Sequence, residues 1–356
     1  MVPSGSWLPS LLYSAILSPW VSAELSIPTQ TIAPGVEMPT VMIGLWTSGT
    51  NEDAKTIVRT WLQQGGTGID EALVYGNQVE AAQVIKESGI DRSKLFIESK
   101  IPGCQGYSQA RTWVQQCLEQ LHVSYLDLLL IHAPNGPDCL GTWKALEAYH
   151  KVGVLKSIGV SNFQVPHLQQ LIDRSSVVPA VNQIQYHVFY HDDQVVAFCK
   201  QHGITVQSWG PLGGAHHWFK RSVYTEPTIV AIAQAHQVSA AQVALRWVIQ
   251  HGLTLVFLSG DKSHQRSDAD IFEFSLSDTE MSQLDALRHG PLQVEQKSDA
   301  AVPSLVRKSD LSFFRSPSGI VLLVVTVSGV ILALMRCSIH RHATSETQPG
   351  NLLVAE

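Results

Sequence analysis

The sequence predicts an α/β fold, a (β/α)8 or TIM barrel preceded by a β-hairpin, and three observations carry that prediction. Eight short apolar runs recur between residues 27 and 288, and helix-length amphipathic stretches separate them. The enclosed length of about 260 residues is the size such barrels take. No Gly-x-Gly-x-x-Gly follows a strand and opens a helix, since Gly65-Gly66-Thr67-Gly68 precedes a strand. A doubly wound nucleotide-binding sheet therefore loses its usual support, and the absence of Gly-x-Ser-x-Gly and Gly-x4-Gly-Lys-Ser/Thr does the same for serine hydrolases and P-loop enzymes.

Taken from the N-terminus, residues 1–23 hold no charged side chain and run apolar from Trp7 to Val21. Ending in Val21-Ser22-Ala23, this segment reads as a secretory signal peptide, though Pro9 and Pro19 interrupt it and no basic residue precedes it. Residues 24–290 form the barrel unit. Ala33-Pro34-Gly35 is a turn signal that folds residues 27 to 38 into a hairpin ahead of the first strand. Strands are expected at Val41–Leu45, Thr67–Ala72, Leu95–Ile101, Leu126–His132, Leu155–Val160, Ala180–Gln185, Ile204–Trp209 and Thr254–Leu258. Helices fall between them, at Glu52–Gln64, Gln78–Glu87, Gln109–Leu121, Thr142–Lys151, Val165–Ile172, Asp193–His202, Glu226–Gln237 and Ala240–Gln250, each apolar at three- and four-residue steps. Eight such strands close a parallel barrel more readily than they build an open sheet.

Residues 291–315 read as a linker. From Ser316 to Met335 the chain again has no charge, and this run lies between Arg315 and Arg336. At ~1.5 Å per residue, ~20 residues match a ~30 Å hydrocarbon core, which predicts a transmembrane helix with lipid as its partner, followed by a short polar tail, 336–356. With a signal peptide the barrel is lumenal or extracellular; without one the span is a tail anchor and the barrel is cytosolic. Cys337 just beyond the span is a candidate for palmitoylation.

Composition excludes other classes. With 45% apolar residues in 356, the chain buries a full core rather than staying disordered. A net charge of −6 without a basic run excludes a nucleic-acid partner. Five cysteines include no metal-ligand spacing, so no metal is expected. Cys104 and Cys139 follow adjacent strands and are a possible disulfide pair, with Cys117 and Cys199 the other cysteines of the barrel. Charged residues are only 15%, against roughly 25% in ordinary soluble domains, and the two uncharged ends together with strands buried on both faces account for the deficit. The barrel is expected to be monomeric.

Chemistry in this architecture sits where strands end. Asp70 and Tyr75 lie at or just past the end of strand two, Lys100 at that of strand three and His132 at that of strand four, so four functional side chains reach one rim. They suit proton donation to a carbonyl. A free tyrosine, with a pKa near ~10, is a poor acid, but a neighbouring ammonium lowers that value; Asp70 keeps Lys100 charged, and His132 orients the substrate oxygen. Glu98, two residues before Lys100 and on the same strand face, either extends the Asp70–Lys100 network or pairs with a basic residue deeper in the barrel.

The stretches Ile69-Asp70-x4-Tyr75-Gly76-Asn77, Ser99-Lys100, Leu129-Leu-Ile-His132-x-Pro134, Gly159-Val-Ser-Asn-Phe163, Pro179-Ala-Val-Asn-Gln183 and Gly203-Ile-x5-Gly-Pro-Leu-Gly213 give the chain its resemblance to the aldo-keto reductase family, from about Ile27 to Leu287. The resemblance implies a nicotinamide cofactor, Tyr75 as general acid, Lys100 and Asp70 tuning it, and His132 positioning the carbonyl. It also implies that Ser161, Asn162 and Gln183 hold the carboxamide, that Trp209 stacks on the nicotinamide in place of the usual tyrosine, and that Leu212 contacts the cofactor. Trp46 matches the family's pocket tryptophan, while Ala133 replaces a tryptophan and widens the substrate pocket. Glu71 stands where the family has a small residue. Phe257-Leu-Ser-Gly260 replaces the family's Ile-Pro-Lys-Ser clamp on the 2′-phosphate, and the nearby Lys262 and Arg266 either rebuild it from a shifted loop or are solvated loop charges. NADPH is the expected coenzyme, with NADH the alternative.

Two functions follow. The first is a membrane-anchored reductase of an aldehyde or ketone; the second is a nucleotide-bound barrel serving as redox sensor or partner module of a membrane complex. The four-residue constellation favours the first, because a binding module has no use for a tuned acid.

Overall fold

The computed structural model describes residues 25–47, 51–213, 221–288, 311–315, 321–327 and 330–333. The expected signal peptide, most of the linker and the polar tail lie outside the described residues. The chain divides into two units, Met1–Gly290 and Pro291–Glu356.

The first unit opens with the expected hairpin, β1 (Thr29–Ala33) and β2 (Val36–Pro39), antiparallel about the turn at Gly35. Gly35 has φ +73°, a conformation that glycine adopts without a Cβ penalty. Eight parallel strands follow: β3 (Val41–Gly44), β4 (Gly68–Asp70), β5 (Phe96–Ile101), β6 (Leu126–Ile131), β7 (Leu155–Ser161), β8 (Val181–Gln185), β9 (Thr205–Trp209) and β10 (Thr254–Phe257). They pair in sequence order, and β10 returns to β3 to close the barrel.

Between them run α1 (Asn51–Gln63), α2 (Gln78–Ser88), α3 (Tyr107–Leu121), α4 (Cys139–Lys151), α5 (Val165–Arg174), α6 (Asp193–Gln201), α7 (Pro227–His236) and α8 (Ala240–Gln250), all within a few residues of expectation. Two further helices, α9 (Lys262–Ala269) and α10 (Asp278–Asp285), were not foreseen. Neither has a long apolar stripe to announce it. A Ser277-x-x-Glu280 capping box starts α10, with Ser277 Oγ accepting from Glu280 N and Glu280 accepting from Ser277 N, and that signal is legible in the sequence.

The strands are buried on both faces. Between strands and helices, Trp61, Trp143 and Trp247 are fully buried, and each indole N–H is satisfied, by Gly68 O at 2.9 Å, Val177 O at 3.1 Å and Asp285 Oδ1 at 2.7 Å. Truncating such a side chain typically costs about 3–5 kcal/mol. A Cβ at Gly66 would lie 2.1 Å from the Trp61 ring, which is why a glycine stands there. Inside the barrel, Met38, Met42, Phe96, Leu128, Leu130, Val181 and Val256 pack under the hairpin as an apolar floor. Since side chains two apart share a strand face, β5 carries Phe96 on that floor, then Glu98, then Lys100 at the opposite rim.

In the second unit, Leu311–Arg315, Val321–Val327 and Val330–Ala333 form a three-stranded antiparallel sheet. At Val321–Val327 and Val330–Ala333, the described part of 316–335, strands stand where a transmembrane helix was expected. A continuous apolar run does not distinguish helix from strand by periodicity, and this one is rich in β-branched residues, Val321, Val324, Val325, Thr326, Val327, Val330 and Ile331, which favour a strand. Among the described residues no helix is long and apolar enough to cross a membrane, so the expected lipid contact through such a helix has no support there.

Candidate active site

Closure of the barrel brings the four rim residues together. Asp70 ends β4, and the chain then bends through a 3-10 turn, Leu73–Tyr75, released by Gly76 at φ +73°. Asn77 holds this bend to the end of β3, its Nδ2 donating to Leu45 O at 2.8 Å. Tyr75 is thereby carried over the barrel mouth. Lys100, fully buried, donates to Asp70 Oδ1, to Glu71 O at 3.1 Å and to the Tyr75 hydroxyl at 3.4 Å. Its ammonium also lies 5.2 Å from the Tyr75 ring centroid. The His132 ring meets Tyr75 edge-on, with centroids 5.8 Å apart.

Electrostatics assign the protons. Burial pulls the Lys100 pKa down, but the charges of Asp70, Tyr75 and Glu98 and the hydrogen bond to Asp70 outweigh it and hold the ammonium above its ordinary range. Burial raises Tyr75 more than Lys100 lowers it, so the phenol keeps its proton at neutral pH. The expected lowering by Lys100 is present but is not the larger effect. Burial, reinforced by Lys100, takes His132 down to about 3, which leaves a neutral imidazole. A charged lysine, a protonated phenol and a neutral imidazole converge on one point, an arrangement able to hydrogen-bond a carbonyl oxygen and give it a proton.

The residues expected at the cofactor lie beside them. Ser161 ends β7, and Asn162 follows at φ +61°, a left-handed conformation that asparagine tolerates better than most residues. Asn162 Nδ2 donates to His132 O at 2.9 Å and to Ser161 Oγ at 3.1 Å, and its Oδ1 accepts from Trp209 Nε1 at 2.9 Å. Ser161 Oγ in turn donates to Gln183 O at 2.8 Å. Hydroxyl, amide and indole groups on one rim offer the donors, acceptors and flat face that a carboxamide-bearing ring needs, so these residues fit a nicotinamide. Leu212, half-buried, packs against the core just past β9, and Trp46 stands 45% exposed after β3. Ala133, next to His132, is half-buried.

Gln183 departs from its expected role in this structure. Its amide points into the barrel, donating to Gln207 Oε1 at 2.7 Å, Glu98 Oε1 at 2.9 Å and Asp70 Oδ1 at 3.2 Å. Gln207 was not foreseen; a glutamine in a run expected to be buried on both faces was the available signal. Glu98 belongs to the Asp70–Lys100 network, and no basic residue deeper in the barrel pairs with it among the described residues. Glu71, turned to the other strand face, is fully buried with neither carboxylate oxygen partnered.

Two features frame the rim. Cys104, after β5, and Cys139, at the start of α4, form a disulfide that ties the loop after β5 to the loop after β6, which holds Ala133 and Pro134. Cys104 N also donates to Asn135 O at 2.6 Å and Asp138 N to Cys104 O at 3.0 Å, and Cys117 and Cys199 remain as buried thiols. Past β10, the Asp261 carboxylate caps α9, accepting from Ser263 N at 2.8 Å and His264 N at 2.9 Å, with Lys262 exposed and Arg266 half-buried behind it.

Comparison with known proteins gives the family. A sequence profile described as the Aldo/keto reductase family matches residues 40–289. Glyoxal reductase of Bacillus subtilis is 37% identical over 254 residues, covering 71% of this chain and 90% of the relative. Morphine 6-dehydrogenase of Pseudomonas putida is 36% identical over 266 residues, covering 72% and 90%. The crystal structure of an aldo/keto reductase from Brucella melitensis superposes with a TM-score of 0.69 at 33% identity, over 74% of this chain and all of that one. The chain belongs to the aldo/keto reductase family and is an NAD(P)H-dependent oxidoreductase.

Proposed function

We propose that the barrel reduces an aldehyde or ketone to an alcohol, with Tyr75 as general acid and NADPH as the preferred coenzyme. The observation that carries this reading is Lys100, ion-paired with Asp70 and donating to the Tyr75 hydroxyl at 3.4 Å beside a neutral His132. The bound coenzyme supplies hydride. Tyr75 donates its proton to the carbonyl oxygen as that oxygen gains charge, and the adjacent Lys100 ammonium stabilises the phenolate left behind. His132 donates a hydrogen bond to the same oxygen and fixes its direction. Ser161 and Asn162 orient the carboxamide, with Gln183 able to join them by turning its amide out of the barrel, and Trp209 offers its ring face. Trp46 and Ala133 line the substrate side.

The test is Tyr75→Phe. Aldehyde reduction is expected to fall by about 10²–10⁴, the usual contribution of a positioned acid, while the dissociation constant for NADPH, read by calorimetry, stays the same. Wild-type turnover in that variant would remove Tyr75 from its role.

For the coenzyme, Lys262 and Arg266 are the cations proposed to meet the 2′-phosphate. The Asp261 carboxylate on the α9 N-terminus favours the second reading, NADH, because it occupies the amides an anion would use. The ratio of the two dissociation constants decides between them. We further propose that the barrel matures in an oxidising compartment, which the Cys104–Cys139 bridge and the signal-like residues 1–23 support. Cell-derived protein is then expected to block alkylation of both cysteines until reduced.

A further inference from the structure

The interior of the barrel holds one acidic group that the proposed reaction does not use. Glu98 and Asp70 are cross-strand neighbours on β5 and β4, and Glu98 is fully buried while Asp70 is 3% exposed. The groups facing them are few. Lys100 comes from β5, Gln183 from β8 and Gln207 from β9, and β6 contributes the apolar Leu128. Among the described residues Lys100, ion-paired with Asp70 and two residues from Glu98 on the same strand face, is therefore the one cation beside these two carboxyl groups, with Glu71 past the end of β4 a third carboxyl near Asp70. Taking two negative charges and one positive charge out of water costs several kcal/mol more than taking a neutral pair, so one of the carboxyls needs a proton.

Hydrogen-bond accounting reaches the same end independently. The three ammonium hydrogens of Lys100 go to Asp70 Oδ1, Glu71 O and Tyr75 Oη. The amide of Gln183 has two hydrogens and faces three acceptors, Gln207 Oε1, Glu98 Oε1 and Asp70 Oδ1. Glu98 Oε2 has no protein partner. With the Gln207 amide hydrogens turned to Met38 Sδ and Met42 Sδ, the cluster is short of donors, and a proton on Glu98 supplies one. The proton belongs on Glu98 rather than Asp70, since Asp70 is the carboxylate ion-paired with Lys100. Burial, with the Asp70 charge added to it and Lys100 opposing, pushes the Glu98 carboxyl well above its ordinary range.

We infer that Glu98 is a positioning residue held as the un-ionised acid, donating its carboxyl proton to Asp70 so that the pair carries one negative charge, on the carboxylate that holds Lys100 against Tyr75. The inference rests on the proposed role of Tyr75. An ionised Glu98 would add a second negative charge beside Lys100, hold the Tyr75 proton more tightly and weaken the acid. The same proton leaves Gln183 free to turn outward, because Asp70 keeps a donor when the amide departs.

Infrared difference spectra of the full chain, wild type minus Glu98→Gln, test the protonation state without turnover. A carbonyl-stretch band of a buried carboxylic acid, shifted in D2O, is expected at neutral pH in the wild type and absent from the variant. The positioning role is read from kcat, KM and the pH profile of aldehyde reduction in Glu98→Leu and Glu98→Gln. With no donor to Asp70, Glu98→Leu is expected to lose about tenfold in kcat, equivalent to ~1.4 kcal/mol, with KM little changed and the alkaline limb moved upward. The amide of Glu98→Gln still donates, so it recovers most of that loss. Ionised-carboxylate absorption in place of the acid band, or equal impairment of the two variants, overturns the inference. Because the band needs no reaction, its absence alongside a Tyr75→Phe variant that is inactive defeats this inference alone, and an active Tyr75→Phe defeats the proposed acid instead.

Discussion

Trp209 Nε1 donates to Asn162 Oδ1 at 2.9 Å, tying the ring at the end of β9 to the amide that follows β7. That bond fixes the plane of the indole, and the same amide reaches His132 O, so the expected cofactor face and the catalytic rim are one connected unit. Trp209→Phe keeps an aromatic face but removes the bond. It is expected to weaken coenzyme binding by about tenfold, the loss of a single hydrogen bond of ~1–1.5 kcal/mol, and calorimetric titration checks it.

His132 stays neutral in this site, with burial and Lys100 taking it down to about 3. The kcat/KM profile for aldehyde reduction is therefore expected to lack a limb near ~6.5, where a free histidine titrates. A limb there that vanishes in His132→Gln would show that the imidazole does ionise in the working pH range.

Removing Lys100 leaves buried carboxyl groups without their cation. Lys100→Met should abolish most aldehyde reduction and also cost about 3–5 kcal/mol of stability, because breaking a buried pair strands the remaining charge. Urea denaturation measures the second effect separately from the first.

Glu71 is fully buried without a partner, and burial first, then the neighbouring Asp70 charge, raises its pKa well above the ordinary carboxyl range. The folded state then holds a proton that the unfolded chain releases at lower pH. Stability from this group is complete below the unfolded pKa of ~4.3 and is lost as pH rises toward the folded value. Glu71→Gln removes that slope. Its melting temperature should gain on the wild type between about pH 5 and about pH 8, and a constant difference across that range would contradict the assignment.

The Cys104–Cys139 bridge closes a 35-residue span, for which loop entropy gives about 4 kcal/mol. Cys139→Ser is expected to lower the melting temperature, and adding reductant should lower that of the wild type to match.

Much of this was legible in the chain itself. The barrel strands are short apolar runs, and in β5 the alternation Phe96, Glu98, Lys100 already tells which side chains enter the barrel, since side chains two apart share a face. Asp70, Tyr75, Lys100 and His132 could be assembled on one rim because strand ends define that rim. The reading failed where local signals are ambiguous. The apolar stretch around Val321–Val327 has the length of a membrane helix and the β-branched composition of a strand, and periodicity could not choose between them. In α9, polar throughout its exposed face, there was no stripe to read.

The sequence by itself determined the barrel, its family and the identity of the four residues at the rim, because each depends on period, spacing and residue type along the chain. Only the tertiary structure decided which side chains meet across the barrel. Gln183 reaches Glu98 and Asp70 through an interior that exists only once β10 has paired with β3, and strand alternation gives facing, not partners. The proton on Glu98 follows from that closure, since counting donors against acceptors requires every neighbour to be known. The same holds for the pairing of Cys104 with Cys139, whose loops are adjacent because β5 and β6 are.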